Sequence, residues 1–157
     1  MKKKKGFTLV ELLAVIVILS ILVLLAVPSV LKMMNGSKDN AFKIEAENII
    51  AGGKLKYSDD LLNGTLPAAT SRTISAATVT GYCYNITGLT DYIDKNFTGK
   101  VGSVLIDATN NNYYIWYTDG SRSITASSTV KGGSIALDAT AVTAAAATTA
   151  KWNNCLN

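Results

Sequence analysis

Residues 6–31 read GFTLVELLAVIVILSILVLLAVPSVL, and this stretch decides how the whole chain is organised. From Leu12 to Leu31 it contains twenty residues without a charge, and only Ser20 and Ser29 interrupt its apolar character. At about 1.5 Å per residue, a helix of that length spans roughly 30 Å, which is the thickness of the hydrocarbon core of a bilayer. The stretch therefore predicts a single membrane-spanning helix.

Four basic residues precede this stretch, namely Lys2, Lys3, Lys4 and Lys5. The chain has 15 basic and 11 acidic residues, so the remainder carries 11 charges of each sign. The net charge of +4 therefore belongs to the leading lysines. It does not exclude nucleic acid as a partner, but it gives that partner no support. Because lysines beside a membrane helix stay in the cytoplasm, the rest of the chain is expected on the outer side.

Glu11 is the one charged residue between Gly6 and Leu31, and it separates three interpretations of the stretch. A cleaved secretory signal has an apolar core of about 7–15 residues and a small-residue cleavage site, but this run is longer and continues as VPSVLKMMNGS. A plain signal anchor fits the length and leaves the carboxylate unexplained. An ionisable side chain in a membrane segment is costly. Glu11 therefore predicts a specific partner for its carboxylate, and we expect no such partner within a single chain.

The third interpretation supplies a partner. Leading lysines, the sequence GFTLVE and an unbroken apolar run resemble the prepilin signal of the type IV pilin family. The resemblance implies that a prepilin peptidase cuts after Gly6 and that the new first residue, Phe7, is N-methylated. It also implies that Glu11 meets the terminal amine of a neighbouring subunit during assembly. A carboxylate in a low dielectric needs a nearby cation, and a methylated amine keeps its charge.

Pro28 also matches the family, many of whose members have a helix-interrupting proline at this distance from the cut. Proline removes a backbone donor and destabilises a helix interior by about 3 kcal/mol. A kink and a locally melted helix both remain open at this position. The resemblance covers residues 2–31, and beyond them only the architecture matches.

A second helical pattern follows the apolar stretch. Six residues at helical spacing share one face: Phe42, Ala46, Ile49, Ile50, Gly53 and Tyr57. We therefore predict one long helix from about Phe7 to Leu62, with weak points near Pro28 and Asn35-Gly36. Its first half would be the anchor and later the filament core, and its second half the helical spine of a globular domain.

The middle of the chain predicts shorter elements. Residues 63–78 are a loop by composition, VTGYCYN at 79–85 is a short strand, and GLTDYIDKNF at 88–97 is a short helix. In that helix Leu89, Tyr92, Ile93 and Phe97 would share a face.

Three clearer strands follow at 100–108, 112–118 and 121–127, and Asp119-Gly120 between the last two is a strong hairpin signal. An antiparallel sheet laid over a helix is an α+β domain. The predicted fold is therefore pilin-like α+β: a long N-terminal helix, anchor plus spine, packed on a small antiparallel sheet. Its parts are a leader at 1–6, the transmembrane and filament-core helix at 7–31, and an extracellular globular domain at 32–157.

The chain has two cysteines, Cys83 and Cys155, and no histidine. Two cysteines in a domain outside the cytoplasm favour one disulfide, and two buried free thiols are the alternative. The absence of histidine excludes His-based catalytic triads and argues against a zinc site.

Acidic residues are densest at Asp59-Asp60 and at Asp91 with Asp94, which we interpret as solvated surface carboxylates in preference to calcium ligands. The sequence shows no nucleophile elbow, phosphate-binding loop or metalloprotease motif. We therefore expect no enzyme, no metal and no cofactor.

The leading functional hypothesis is the major structural subunit of a type IV pilus. The resemblance implies a single-pass membrane protein that assembly machinery extracts into a helical homopolymer at the cell surface. The alternatives are a type II secretion pseudopilin, a competence pilin, or a membrane-tethered binding protein that never polymerises. Twitching motility, adhesion, aggregation and DNA uptake share one subunit design, so the sequence does not choose among them.

Overall fold

The computed structural model describes residues 8–74, 77–94, 97, 100–131, 134–137 and 142–143. The chain divides into two units, residues 1–38 and residues 39–157. The first contributes the apolar part of a long helix, and the second contains the remainder of that helix and a β-sheet.

One long helix, α1, was predicted from about residue 7 to residue 62, and it runs from Leu9 to Asn63. It continues through Pro28 and through Asn35-Gly36, so neither predicted weak point breaks it. Proline has no N–H, so the helix lacks one internal hydrogen bond at that position. Of the two possibilities left open for Pro28, the locally melted helix is not what the single chain adopts.

A glycine ends α1. Gly64 has a φ of 68°, a left-handed conformation that costs little without a Cβ. The N–H of Thr65 then donates to the carbonyl of Asp60 at 2.9 Å, as in a Schellman cap. The Asn-Gly-Thr sequence therefore stops the helix where the chain turns back toward the sheet.

Within the described residues, seven antiparallel strands form the sheet. They are β1 (Thr70–Ile74), β2 (Ala77–Asn85), β3 (Val101–Asp107), β4 (Asn112–Thr118), β5 (Ser123–Lys131), β6 (Ser134–Leu137) and β7 (Val142–Thr143). Strands β1 to β6 lie in chain order across the sheet, and β7 pairs with β5. A long N-terminal helix with an antiparallel sheet confirms the predicted α+β, pilin-like fold class.

Two local predictions are wrong. Strand β1 lies within the region predicted as loop, where its polar sequence TSRTI shows no alternation of apolar residues. The predicted helix at 88–97 is instead a 3₁₀ helix, Ile86–Gly88, followed by a turn in which the N–H groups of Tyr92 and Ile93 both donate to the carbonyl of Leu89. The predicted apolar face nevertheless packs inward, since Leu89 is buried and Ile93 packs against the core.

The predicted hairpin between β4 and β5 is confirmed. Gly120 has a φ of 89°, and the Asp119 carboxylate accepts hydrogen bonds from the N–H groups of Ser121 and Arg122 at 2.8 and 2.7 Å. In the turn between β3 and β4, the buried Asp107 carboxylate accepts from two backbone N–H groups in the same way. Both turns are thus held by an aspartate that binds the backbone after it.

The main core lies between α1 and one face of the sheet. The helix contributes four fully or nearly buried apolar residues: Phe42, Ala46, Ile49 and Ile50. The strands contribute seven: Tyr84, Val104, Ile106, Tyr113, Ile115, Tyr117 and Ile124. Phe42 stacks on Tyr117 with ring centroids 4.7 Å apart. The helical face predicted from spacing is therefore the face that packs on the sheet.

Four acidic residues in the second half of α1 accept hydrogen bonds from other side chains. Glu45 accepts from Lys100 at 2.8 Å and from the Tyr117 hydroxyl at 2.6 Å, and Asp39 accepts from Arg122 at 2.6 Å.

The other two are Asp59, which accepts from the Tyr92 hydroxyl at 2.7 Å, and Asp60, which accepts from Lys56 at 2.5 Å. Asp60 is only 4% exposed, so its interpretation as a solvated surface carboxylate is wrong. The reason is that α1 ends just after Asp60, and the residues that follow bring the Thr65 hydroxyl within hydrogen-bond distance of the Asp60 carboxylate. Asp91 and Asp94 are exposed, as expected.

Candidate assembly segment

The N-terminal end of α1 is closed by a capping box. Thr8 precedes the first helical residue, and its backbone N–H and its hydroxyl both donate to Glu11 Oε2, at 2.8 and 2.9 Å. In return, the N–H of Glu11 donates to Thr8 Oγ1 at 3.3 Å. Such reciprocal bonds satisfy backbone donors that the first helical turn leaves unpaired. Glu11 therefore has a partner within its own chain, and the expectation that a single chain offers none is wrong.

Thr8 is the residue of this segment that the sequence interpretation missed. A threonine followed three positions later by glutamate, directly before an apolar run, is the signature of a capping box. TLVE at residues 8–11 carries that signature. A cation was the expected partner of Glu11, so a hydroxyl and a backbone N–H three positions earlier were not predicted.

The helix after Glu11 exposes a continuous apolar surface. The large apolar side chains from Leu9 to Leu31 are each between 46% and 79% exposed. By length and composition α1 is able to cross a membrane. Exposed apolar area of this extent is unstable in water and must be covered by lipid or by protein.

Inside this segment the polar groups are satisfied locally. The Ser20 hydroxyl donates to the carbonyl of Ile16 at 2.7 Å, which hides the hydroxyl from an apolar surrounding. Ser20 and Pro28 lie on one side of α1, where they line a shallow groove whose other lining residues are apolar: Ile16, Leu19, Val23, Leu24 and Val27. Serine and proline are smaller than leucine. An apolar partner can therefore approach the helix backbone more closely on this side of α1 than on its other sides.

The predicted site residues do not converge on one point. Glu11 and Pro28 are seventeen positions apart on the same helix, so they are separated by about 25 Å along its axis. Lys2, Lys3, Lys4, Lys5, Gly6 and Phe7 lie outside the described residues. Cleavage after Gly6 and methylation of Phe7 therefore stay predictions.

The cysteine prediction is partly visible. Cys83 is disulfide-bonded and lies on β2. Cys155 lies outside the described residues, so the pairing of Cys83 with Cys155 stays a prediction. In the described part of the chain, no three His, Cys, Asp or Glu side chains are grouped so that they could hold a metal ion.

The comparison with known protein families identifies the segment. Residues 1–27 match the family model described as the prokaryotic N-terminal methylation motif, the class III signal peptide of type IV pilins. This match supports a prepilin of the type IV pilin family. No curated protein and no solved structure matches the chain, so the pilin assignment rests on this motif and on the fold.

A pilin signal implies a structural protein. It fits membrane anchoring through the apolar helix before assembly into a surface filament, and it is compatible with a pilin or a pseudopilin precursor. What the geometry adds is a helix whose first half is exposed and apolar, and whose second half is packed on a sheet.

Proposed function

We propose that this chain is the major structural subunit of a type IV pilus. Prepilin peptidase cuts after Gly6, Phe7 becomes the methylated first residue, and the subunit waits in the membrane with its domain outside. Assembly machinery then extracts it into a helical homopolymer. The observation that carries the proposal is the methylation motif at residues 1–27, continued by an apolar helix with no partner among the described residues.

The apolar half of α1 supports polymerisation through helix packing. In the membrane its side chains contact lipid, and in a filament they would contact the same segments of other subunits. Exchange of one apolar surrounding for another keeps the surface out of water at every stage. The growing filament is therefore held by many parallel apolar contacts that no single subunit can make.

Glu11 would set the register of those contacts. Both hydrogen bonds from Thr8 reach Oε2, so Oε1 takes part in neither. A carboxylate offers about four lone-pair sites. One Glu11 can therefore cap its own helix through Oε2 and accept the methylated amine of a neighbour through Oε1. Two neighbouring helices could pack at several axial positions. The position that pairs the Glu11 carboxylate with the amine is favoured, because an unpaired charge in an apolar core is costly.

Electron microscopy of filaments sheared from the producing cells tests the proposal. Filaments whose main component is this chain, with methyl-phenylalanine at its start by mass spectrometry, are the expected result. A chain that retains Met1, or one cut near residue 28, would contradict the prepilin processing. Correct processing with no surface filament would instead favour a pseudopilin, and filaments in which the chain is a trace component would contradict the major-subunit role.

A further inference from the structure

Two Asn-Gly dipeptides belong to α1 or its end, and their backbones differ. Asn35-Gly36 lies inside the helix, whereas Asn63 is its last residue and Gly64 is the first residue beyond it. All of these residues are exposed, so access of water does not distinguish the two places. The backbone does, because the helix continues after Gly36, whereas Gly64 has a φ of 68° and turns the chain away.

An Asn-Gly dipeptide contains both partners of a cyclisation. The backbone nitrogen of the glycine is a nucleophile, and the side-chain amide carbon of the asparagine is an electrophile. The two atoms meet only when the backbone between them rotates out of the helical conformation. Glycine hinders the approach least, because it has no Cβ.

We propose that Asn63 is a site of spontaneous modification, at which the side chain cyclises onto the backbone of Gly64. The Gly64 nitrogen forms a bond to Asn63 Cγ, and the bond between Cγ and Nδ2 breaks. The amide leaves as ammonia, with the proton that the Gly64 nitrogen gives up.

Water then opens the five-membered succinimide at either of its two carbonyls. Attack of water at Cγ leaves aspartate at position 63. Attack at the backbone carbonyl leaves isoaspartate, in which the main chain passes through the former side chain. Water is the only co-reactant, and nothing is oxidised or reduced.

The end of the helix permits the required rotation at Asn63. Inside a helix, N–H groups and carbonyls are paired in the turns before and after each residue, so rotation at Asn35 breaks hydrogen bonds on both sides. At Asn63 only the last turn has to open, together with the capping bond from the Thr65 N–H to the Asp60 carbonyl. Opening at a helix end needs less free energy than opening in its interior.

The products change the charge at this end of α1. Asn63 Nδ2 donates to Asp59 Oδ1 at 3.1 Å, and Asp59 Oδ2 accepts from the Tyr92 hydroxyl at 2.7 Å. Either product replaces the amide donor by a carboxylate beside Asp59. Like charges at this spacing repel, and a negative charge at the C-terminus of a helix opposes its dipole. The modification therefore weakens the contact between the end of α1 and Tyr92.

The proposal does not depend on leader removal or on polymerisation, so a failure of the pilus proposal would leave it unaffected. Peptide mapping of the full chain by mass spectrometry, during incubation in detergent micelles at mildly alkaline pH, tests it. Asn63 should convert at least about tenfold faster than Asn35. Both aspartate and isoaspartate should form at position 63, because the succinimide opens in two ways. A smaller difference in rate, or aspartate without isoaspartate, would overturn the proposal.

Short synthetic peptides that cover residues 31–40 and 59–68 provide reference rates without a helix. Both contain Asn-Gly and are too short to form a stable helix, so their asparagines should convert at similar rates. In the full chain, Asn35 should be protected relative to its peptide at least about tenfold more than Asn63 is. Equal protection of the two asparagines would overturn the proposal.

An Asn63→Gln variant is the control for the assignment. It keeps a side-chain amide at the end of α1 but lengthens the side chain, so the five-membered ring cannot form. Conversion at position 63 should stop in this variant, while Asn35 should react as in the unsubstituted chain. Formation of acid at position 63 at an unchanged rate would show that the amide is lost by direct hydrolysis and would overturn the proposal.

Discussion

Glu11 shows how one side chain can serve two structures. In the single chain it closes a capping box with Thr8, and in the proposed filament it pairs with the amine of another subunit. The two roles need different properties. A capping box needs a hydrogen-bond acceptor, which glutamine also provides, whereas the amine needs a negative charge.

Substitution at the two positions therefore separates the roles. Glu11→Gln keeps the acceptor and removes the charge, so we expect normal leader removal, a normal helix start and no surface filaments. Thr8→Val removes the cap at a cost of about 1 kcal/mol and keeps the charge, so filaments should still form. Leader removal is followed by the mobility of the protein on gels, and filaments by electron microscopy of sheared material. Normal surface filaments in cells that produce the Glu11→Gln variant would contradict the proposed pairing of Glu11 with the amine of a neighbouring subunit.

Tyr117 is a second residue that makes two different contacts, and both of them join the sheet to α1. It is fully buried, its ring stacks on Phe42, and its hydroxyl donates to Glu45 at 2.6 Å. Tyr117→Phe keeps the ring and leaves the carboxylate with one donor fewer. We expect a loss of about 1–2 kcal/mol in the free energy of unfolding. Urea unfolding followed by circular dichroism measures it.

Tyr114→Phe is the matched control, because it removes a hydroxyl from a half-buried tyrosine of the same strand that packs in the separate cluster of Val79 and Leu105. The control should change the free energy of unfolding by less than about 0.5 kcal/mol. Equal losses in both variants would mean that the hydrogen bond to Glu45 contributes nothing specific.

At the scale of elements, the sequence predicted those whose apolar side chains repeat with a clear period or form a continuous run. The second half of α1 and strand β4 carry apolar residues at the spacing of their secondary structure, whereas the first half of α1 and strand β3 were predicted from continuous apolar runs. Strand β1 has no such pattern. It is held instead by backbone pairing with β2 and by a hydroxyl contact of 2.8 Å between Ser71 and Thr80. Such contacts depend on register, which a composition-based prediction does not contain.

The same limit applied to the assembly segment. Family resemblance predicted a role for Glu11 in assembly, but its partner within the chain follows from a helix that begins at Leu9, directly after Thr8. The burial of Asp60 likewise depends on where α1 ends and on the turn that follows. Helix boundaries are the part of a sequence-based prediction that periodicity determines least.

Close packing of α1 against its surroundings leads to a prediction for two glycines. A Cβ built on Gly52 would lie 2.2 Å from Ile93 Cγ2 and 3.1 Å from the carbonyl oxygen of Tyr92, so neighbouring atoms would have to move. We expect Gly52→Ala to lower the midpoint of thermal unfolding, although alanine favours a helix by about 1 kcal/mol over glycine. The packing strain of an overfilled core, about 1–3 kcal/mol, outweighs that gain.

Gly36→Ala provides the control, since nothing lies within 4 Å of a Cβ at that position of the same helix. Its midpoint should not fall below that of the unsubstituted chain. If Gly52→Ala left the midpoint unchanged or raised it, close contact between α1 and the turn at Tyr92–Ile93 would not limit stability.

For the whole molecule, a hydrogen bond to one titratable group and the burial of two others define the pH range in which the globular unit is stable. The hydrogen bond from Lys56 lowers the pKa of the Asp60 carboxyl, so the folded state binds its proton less tightly than the unfolded chain does. Stability from this group is present above the unfolded value of about 4 and is lost as pH falls through the folded pKa.

Burial raises the pKa values of Tyr84 and Tyr117, which is the opposite case. Their contribution is complete below the unfolded tyrosine value of about 10 and declines as pH rises beyond it.

Thermal unfolding of the full chain in micelles should therefore show a plateau between about pH 4 and pH 10, with a decline on each side. Asp60→Asn cannot take up a proton, so its unfolding midpoint should be lower on the plateau and fall less steeply below pH 4 than that of the unsubstituted chain. Asp94→Asn changes an exposed carboxylate and should leave the acid decline as it is. Tyr117→Phe should likewise make the alkaline decline shallower. An acid decline of the same steepness in the Asp60→Asn chain would show that the Lys56–Asp60 contact at the end of α1 does not govern stability in acid.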